Sequence, residues 1–311
     1  MGMTIKRFVV PALVGVLGAG VAGCGTQDDG GRAGDDTGLT SALSGVPASA
    51  AEQPMTYRDV PTARRLLAAD KTLYQGLDGY GVWELTGRPG SVASVKDSYG
   101  FEAGDVRTAL QLGSGQAQRL TGTFDVSAAR DAMEKDGYRA SDSADDGVRL
   151  RKQGQATFDV SGTARVTKWL DDGPTLPLDP PDESVADDAA YQAVVGCLGD
   201  DVYEATLYGK RSEFRKQGVT LLGIGGRADG SASTEKLCAL TTSKKSAEKI
   251  AGKLRTKTAP DERFAGSKVT IGDGDAPVVS MSWKNSTKSG LRPGDQDRTT
   301  ELPKLLLWSW T

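Results

Sequence analysis

Along residues 148–160, "VRLRKQGQATFDV", apolar and polar side chains alternate on both sides of a glycine-containing turn. Val148 and Leu150 come before the turn, Phe158 and Val160 after it. Period-two alternation in both arms predicts a β-hairpin with one buried face. The pattern returns 121 positions later in "VTIGDGDAPVVSM", where Val269, Ile271, Val279 and Met281 take the four apolar places. Earlier stretches match too. "GVWELTG" at 81–87 parallels "VYEATLYG" at 202–209, and "ALQLG" at 109–113 parallels "LLGIG" at 221–225. "RLTGTFDVSAARDAMEK" and "KLCALTTSKKSAEKIAGKL" each predict a strand passing through a Ser or Thr cap into a helix. Helical patterns precede both sets, in "TARRLLAADKTLYQGL" and "VADDAAYQAVVGCL".

Each copy therefore predicts helix, three strands, helix, hairpin. The expected class is α+β, with two similar tandem domains at 56–170 and 185–311, mainly antiparallel sheets, and an origin by duplication. Between them, "DDGPTLPLDPPDES" at 171–184 holds four prolines and five acids, a composition that predicts a semi-rigid spacer. The tetrapeptide "RKQG" at 151 and 215 is out of phase with the repeat and reflects similar turn chemistry only.

The N-terminus carries a different signal. Lys6 and Arg7 precede an apolar run that ends in small residues before Cys24. A basic start, a short apolar stretch and small residues at its end are the layout of a secretory signal peptide. The run is shorter than the roughly 20 apolar residues a membrane span needs, and Pro11 would weaken a long helix. The ending "VAGC" is similar to the lipobox of bacterial lipoproteins, with Val21 where leucine is commonest. That resemblance implies removal of residues 1–23 and a diacylglyceryl group on the Cys24 thiol, with palmitate-type acylation. It places the protein at the extracytoplasmic face of the cell membrane, its membrane partner reached through that lipid. Two or more acyl chains hold stably where one does not. Residues 24–55, rich in Gly, Asp, Ser and Ala, then predict a flexible tether of about 30 Å typical span. The Gly, Ala, Asp and Arg richness resembles secreted actinobacterial proteins.

Composition narrows the chemistry. Without residues 1–23 the chain keeps 36 Lys or Arg against 41 Asp or Glu, a net charge near −5. This balance gives no ground for a nucleic acid or an anionic lipid surface as partner. The chain has no histidine, which excludes Ser-His and Cys-His nucleophile pairs and histidine-based metal sites. Outside Cys24, only Cys197 and Cys238 remain, too few thiols for a zinc or iron–sulfur cage. In an exported protein they are expected to pair as a disulfide. Closing so long a loop contributes roughly 3–4 kcal/mol on chain-entropy grounds.

Other motifs lack the context their chemistry requires. "GIGGRADG" at 223–230 fits a loose phosphate-loop pattern, yet the next segment, "SASTEKLCALTT", predicts another strand where a helix is required. "GDGDA" at 272–276 lacks the further oxygens and closing glutamate of a calcium loop. Ser233 with Lys236, Ser246 with Lys249, and Lys288-Ser289-Gly290 faintly resemble penicillin-binding motifs but lack their middle element. Asp171/Asp172 and Asp187/Asp188 fall in the spacer and at a helix start, where acids favour solubility and the helix dipole. "LLLWSWT" at 305–311 predicts a last strand of the second domain's sheet.

The expected function is a membrane-anchored binding module without enzymatic activity, for an envelope protein, glycan or small ligand. The alternatives are a cell-wall hydrolase using carboxylates or serine, and an accessory or inhibitory subunit of a membrane complex. No catalytic, cofactor-binding or metal residue and no cofactor is predicted. The repeat adds one geometric expectation. Cys197 aligns with Leu77 and Cys238 with Thr121, so Leu77 and Thr121 should approach each other as the cysteines do.

Overall fold

Both alternating segments are hairpins, and their registers agree at the offset the sequence suggests. In the computed structural model, β5 (Val148–Arg151) pairs with β6 (Thr157–Val160), placing Val148 opposite Val160 and Leu150 opposite Phe158. Likewise β11 (Lys268–Ile271) pairs with β12 (Val278–Lys284), with Val269 opposite Met281 and Ile271 opposite Val279. On the polar face of the first hairpin, Arg149 and Asp159 form a bidentate ion pair at 2.6 and 2.7 Å. The structure describes residues 38–77, 95–113, 117–142, 147–168, 175–229, 232–293 and 301–307. Leader residues 1–23, Cys24, the stretch 81–87 and Asp171/Asp172 lie outside the described residues.

The hairpins belong to one continuous twelve-stranded sheet, in the order β11-β12-β10-β9-β8-β1-β2-β3-β7-β6-β5-β4. The fold is thus α+β with every pairing antiparallel. At the centre β1 (Met55–Asp59) pairs with β8 (Glu204–Leu207), with Tyr57 opposite Ala205. Outward on one side come β2 (Val106–Leu112), β3 (Ala117–Gly122), β7 (Ala164–Lys168), β6, β5 and β4 (Arg139–Asp142). On the other side come β9 (Val219–Asp229), β10 (Ala232–Thr241), β12 and β11. Each half thus runs first, second, third strand, then a hairpin docked through its later arm. The sheet position of β11–β12 is that of β6–β7, however, whereas the sequence match points to β5–β6. Alternation marks any half-buried strand, so it matches neighbouring hairpins equally well.

The helices show a second difference. α1 (Leu39–Ser44) precedes β1, and α5 (Ala189–Leu198) precedes β8. Sheet position makes these two equivalent, whereas the sequence pattern matches α5 to residues 62–77. That stretch forms α2 (Val60–Ala69), after β1, and a 3-10 turn over Gln75–Leu77. Residues 38–55 are not the tether that their composition suggests: Leu39, Leu43, Val46, Ala50 and Met55 are buried in the central core. Leu39, Leu43 and Val46 follow helical spacing, a short stripe that the small-residue composition conceals. The spacer is equally held in place. Leu176 is buried, Arg119 donates to the Pro177 and Leu178 carbonyls, and Val185 N–H donates to the Val46 carbonyl.

Core residues of opposite strand parity face opposite sides. Tyr57, Leu110, Leu112, Leu207, Leu221 and Cys238 pack under α1 and α5. On the other face, Leu222, Ile224, Leu237, Val279 and Met281 pack under α7 (Lys244–Thr256) and α8 (Glu301–Leu307). The far end, with Leu120, Val148, Leu150 and Phe158, packs with α3 (Val95–Tyr99) and α4 (Val126–Lys135). A short α6 (Ser212–Lys216) leads into β9. Helix starts follow the expected logic, although Asp125 caps α4 in place of the expected Ser or Thr; Ser243 caps α7. α8 corrects the expected terminal strand: Leu302, Leu306 and Leu307 are buried with helical spacing. A short apolar run does not separate strand from helix by periodicity.

Candidate ligand-binding cleft

α5 carries Gln192, Val195, Gly196 and Gly199 at positions i, i+3, i+4 and i+7, one stripe of the helix running into its C-cap. This stripe faces Thr40 and Leu43 of α1 across a cleft of about 300 Å³, closed by Ala186, Tyr191 and Asp200. The size is at the lower end of small-molecule sites. Leu43, Val195 and Tyr191 are buried and form an apolar floor, while Thr40, Gln192 and Asp200 are exposed at the rim. A side chain at Gly196 would meet nothing within 4 Å, so glycine leaves cleft volume open at a helix position where it costs about 0.5–1 kcal/mol relative to alanine.

Local hydrogen bonds fix both walls. An Asp200 carboxylate oxygen accepts from Thr40 N–H at 2.7 Å, capping α1 from 160 residues away in sequence. Tyr191 donates its hydroxyl to the Ala51 carbonyl at 2.7 Å, and Gln192 donates to Ala186 at 3.1 Å. Burial, with Asp188 nearby, pushes the Tyr191 phenol far upward, so it stays a neutral donor. Behind the cleft, Cys197 of α5 is disulfide-bonded to Cys238 of β10, with Cα atoms 6.1 Å apart. Lys236 adds a 2.7 Å bond to the Cys197 carbonyl. The wall is bolted to the sheet before any ligand arrives.

The glycines of "GIGG" have their explanation here. A Cβ at Gly223 would lie 2.7 Å from Val194 and 2.8 Å from Leu207, so glycine lets α5 settle directly on β9. At Gly226 the obstacle would be the Tyr203 ring, at 2.6 Å. Close packing, not phosphate binding, accounts for the run.

The opposite face holds a row of buried polar side chains in register. Arg165 of β7 pairs with Leu120, Leu120 with Ala109, Ala109 with Arg58, Arg58 with Glu204, and Gly226 joins Glu204 to Glu235. Glu235 accepts from the Trp283 indole at 2.9 Å. Glu204 and Glu235 sit two strand spacings apart, about 10 Å, with the Tyr203 ring over the glycine between them. Tyr203 shares a 3.3 Å hydrogen bond with Ser233. A ring therefore fills the space that a hydrolytic carboxylate pair needs for substrate. Arg165 is wholly buried, its guanidinium 4.6, 4.7 and 4.5 Å from the Tyr99, Phe101 and Phe158 rings. Its Nε and Nη1 have no hydrogen-bond partner among the described residues, and burial pushes it down to about 9.

The remaining sequence candidates have structural roles. Asp187 accepts from the Ser184 N–H and hydroxyl, and Asp188 caps α5 while pairing with Lys210 at 2.6 Å; both are held below the usual carboxylate range. Ser233 and Lys236, three apart on β10, lie on opposite faces of the sheet, where Ser233 bonds Tyr203 and Asn285. Leu77 packs with Ala63, Leu66, Tyr74 and Tyr203, a cluster that does not include Thr121, which bonds Thr108 at 2.5 Å. The cleft itself is hidden in the sequence because α1 has the composition of a tether. Among the described residues there is no group of three or more Cys, Asp or Glu placed to hold a metal, and no helix long and apolar enough to cross a membrane.

No protein family matches the chain, and no curated protein matches it. Among solved structures it is similar to TP0453 in crystal forms III, I and IV, at 8%, 9% and 8% identity and a TM-score of 0.45 in each case. The matches cover 80%, 80% and 81% of this chain and 96%, 94% and 98% of the other. A likeness this loose carries no argument about function.

Proposed function

We propose that this protein is a non-enzymatic binding protein, held at the extracytoplasmic face of the cell membrane through lipid on Cys24. Its cleft between α1 and α5 takes a small, largely apolar envelope component. The observation that carries the reading is the preformed cleft. An apolar floor is ringed by three polar groups, both walls are fixed by hydrogen bonds, and the disulfide secures the α5 wall. Fixed walls lower the ordering cost of binding. The matching strand orders around β1 and β8 support a duplication, which would make α1 and α5 paired elements brought together at the joint.

Mass spectrometry of ligands released from protein purified out of its host tests the reading, with Gly196→Leu as the blocked form. An apolar small molecule is expected with the wild type and absent from the variant. No bound molecule in either, or equal amounts in both, refutes it. Because Gly196 borders open space, the variant should fold.

A further inference from the structure

The near-neutral overall charge conceals a segregation. From Lys244 to the C-terminus the chain carries 13 Lys or Arg against 8 Asp or Glu, although the whole chain stands at −3. α7 concentrates it, with Lys244, Lys245, Lys249, Lys253 and Arg255 against Glu248 alone. Ala247, Ile250, Ala251 and Leu254 turn inward and are buried. Lys245, Lys249, Gly252 and Thr256, at i, i+4, i+7 and i+11, form the outward crest, and all four are solvent-accessible. Glu248 and Arg255 flank them, also exposed.

Partners separate the free cations from the engaged ones. Lys257 is taken by Glu262 at 3.3 Å and Glu301 at 3.1 Å, Lys253 donates to the Leu305 carbonyl, and Lys244 stands 3.6 Å from Asp275. Lys245, Lys249 and Arg255 have no carboxylate partner among the described residues. Like charges one turn apart, as at Lys245 and Lys249, are mildly destabilising on a helix in water. An anionic surface reverses that sign. The small crest residues Gly252 and Thr256 let such a surface come close, since a Cβ at Gly252 would meet nothing within 4 Å.

We propose that the outward face of α7 docks on an anionic phospholipid bilayer, as a second contact beyond the lipid on Cys24. The choice of a bilayer rests on the membrane-anchored reading above, and chain length supports it. Gly38, the first described residue, stands only 14 positions after Cys24. Even fully extended, that stretch reaches at most about 50 Å. An anchor that short keeps the folded part beside headgroups, where each basic side chain contributes about a fivefold factor in partitioning.

The test uses the mature chain, residues 24–311, with Cys24→Ser, so that no acyl chain takes part. The described fold begins at Gly38, so removal of the leader leaves it whole. Co-sedimentation is measured with phosphatidylcholine vesicles and with vesicles that also contain phosphatidylglycerol. Binding is expected to the anionic vesicles only, to fade as salt is raised, and to fall at least about 25-fold in Lys245→Glu/Lys249→Glu. Lys245→Gln/Lys249→Gln, which removes charge without adding repulsion, should fall by less. Unfolding midpoints should match the wild type, because both side chains are exposed. Equal binding of wild type and Glu variant, or no preference for anionic vesicles, overturns the proposal. So does binding to polyglutamate or DNA without binding to vesicles. Fatty-acid labelling of the unmutated protein reports on the Cys24 anchor separately, so either idea can fail alone.

Discussion

Replacing Arg165 with methionine should stabilise the protein. The guanidinium is 0% exposed, and burial pushes it from its ordinary value down to about 9. Holding the charge there costs roughly 5 kcal/mol. Three aromatic faces within 4.7 Å offset part of this, at about 0.5–2 kcal/mol each. The remaining cost lies between about −1 and about 3.5 kcal/mol. Methionine ends two heavy atoms short of the guanidinium nitrogens, carries no charge and makes its own sulfur–aromatic contacts. Arg165→Met should therefore gain up to about 3 kcal/mol, as replacement of buried ionic groups by apolar ones often does. In a folded unit of this size that raises the unfolding midpoint by up to roughly 10 °C, readable by circular dichroism. Arg165→Ala should lose about 2–4 kcal/mol to the cavity. Arg165→Lys should also lose stability, since an ammonium is more strongly hydrated and does not stack. Because the folded-state value is depressed, the wild type regains stability as pH rises above about 9. The advantage of Arg165→Met should be full at neutral pH and shrink in alkali. A methionine variant less stable than wild type beside a neutral lysine variant would show that this cation has a partner that its aromatic surroundings do not supply.

Three further outcomes can be measured. Replacing Cys197 and Cys238 with serine should lower stability by about 3–4 kcal/mol, and thiol counting on the unfolded, unreduced wild type should find neither cysteine free; two reactive thiols would refute the bridge. Asp200→Ala removes the side-chain cap of α1 and should cost about 1 kcal/mol in denaturant unfolding, with Asp200→Asn close to wild type; equal stability of the alanine variant would remove Asp200 from the α1 wall. Cys24→Ser should abolish labelling by a fatty-acid analogue, and unchanged labelling would sink the anchor.

Local pattern is readable wherever a segment's own periodicity decides its structure. The β5–β6 and β11–β12 hairpins, their 121-residue offset and the Ser243 cap of α7 come from alternation and capping chemistry. The disulfide comes from elimination, because outside Cys24 the sequence leaves Cys197 only Cys238 as a partner. Features decided between distant segments are not readable. β7 docks on β3 through long-range register, and its short span leaves no separate trace beside the clearer β5–β6 pattern. α1 looks like linker because Ser, Ala and Gly surround its buried leucines. Its cap comes from Asp200, which no local motif announces. Arg165 sits in an ordinary Ala-Arg-Val-Thr strand, and only the fold gathers Tyr99, Phe101 and Phe158 around it.

The pairing of β1 with β8 changes what the tether region does. Had the chain folded only from residue 56, β8 would lose the start of its neighbour at Met55, and the central core would lose Leu39, Leu43, Val46 and Met55. The α5 stripe would then face solvent, and the cleft would have one wall. Cys24 and the cleft are thus close in the chain: 14 positions after Cys24 comes Gly38, the N-cap of the helix that forms the second wall. At Gly38 any added Cβ would collide with the Asp200 carboxylate. Glycine is the residue that lets Asp200 close over the start of α1 and hold the wall. A side chain there would force the carboxylate away and release the cap. Gly38 is therefore the latch of the cleft, and ligand affinity should respond to substitution there even though that residue does not line the pocket.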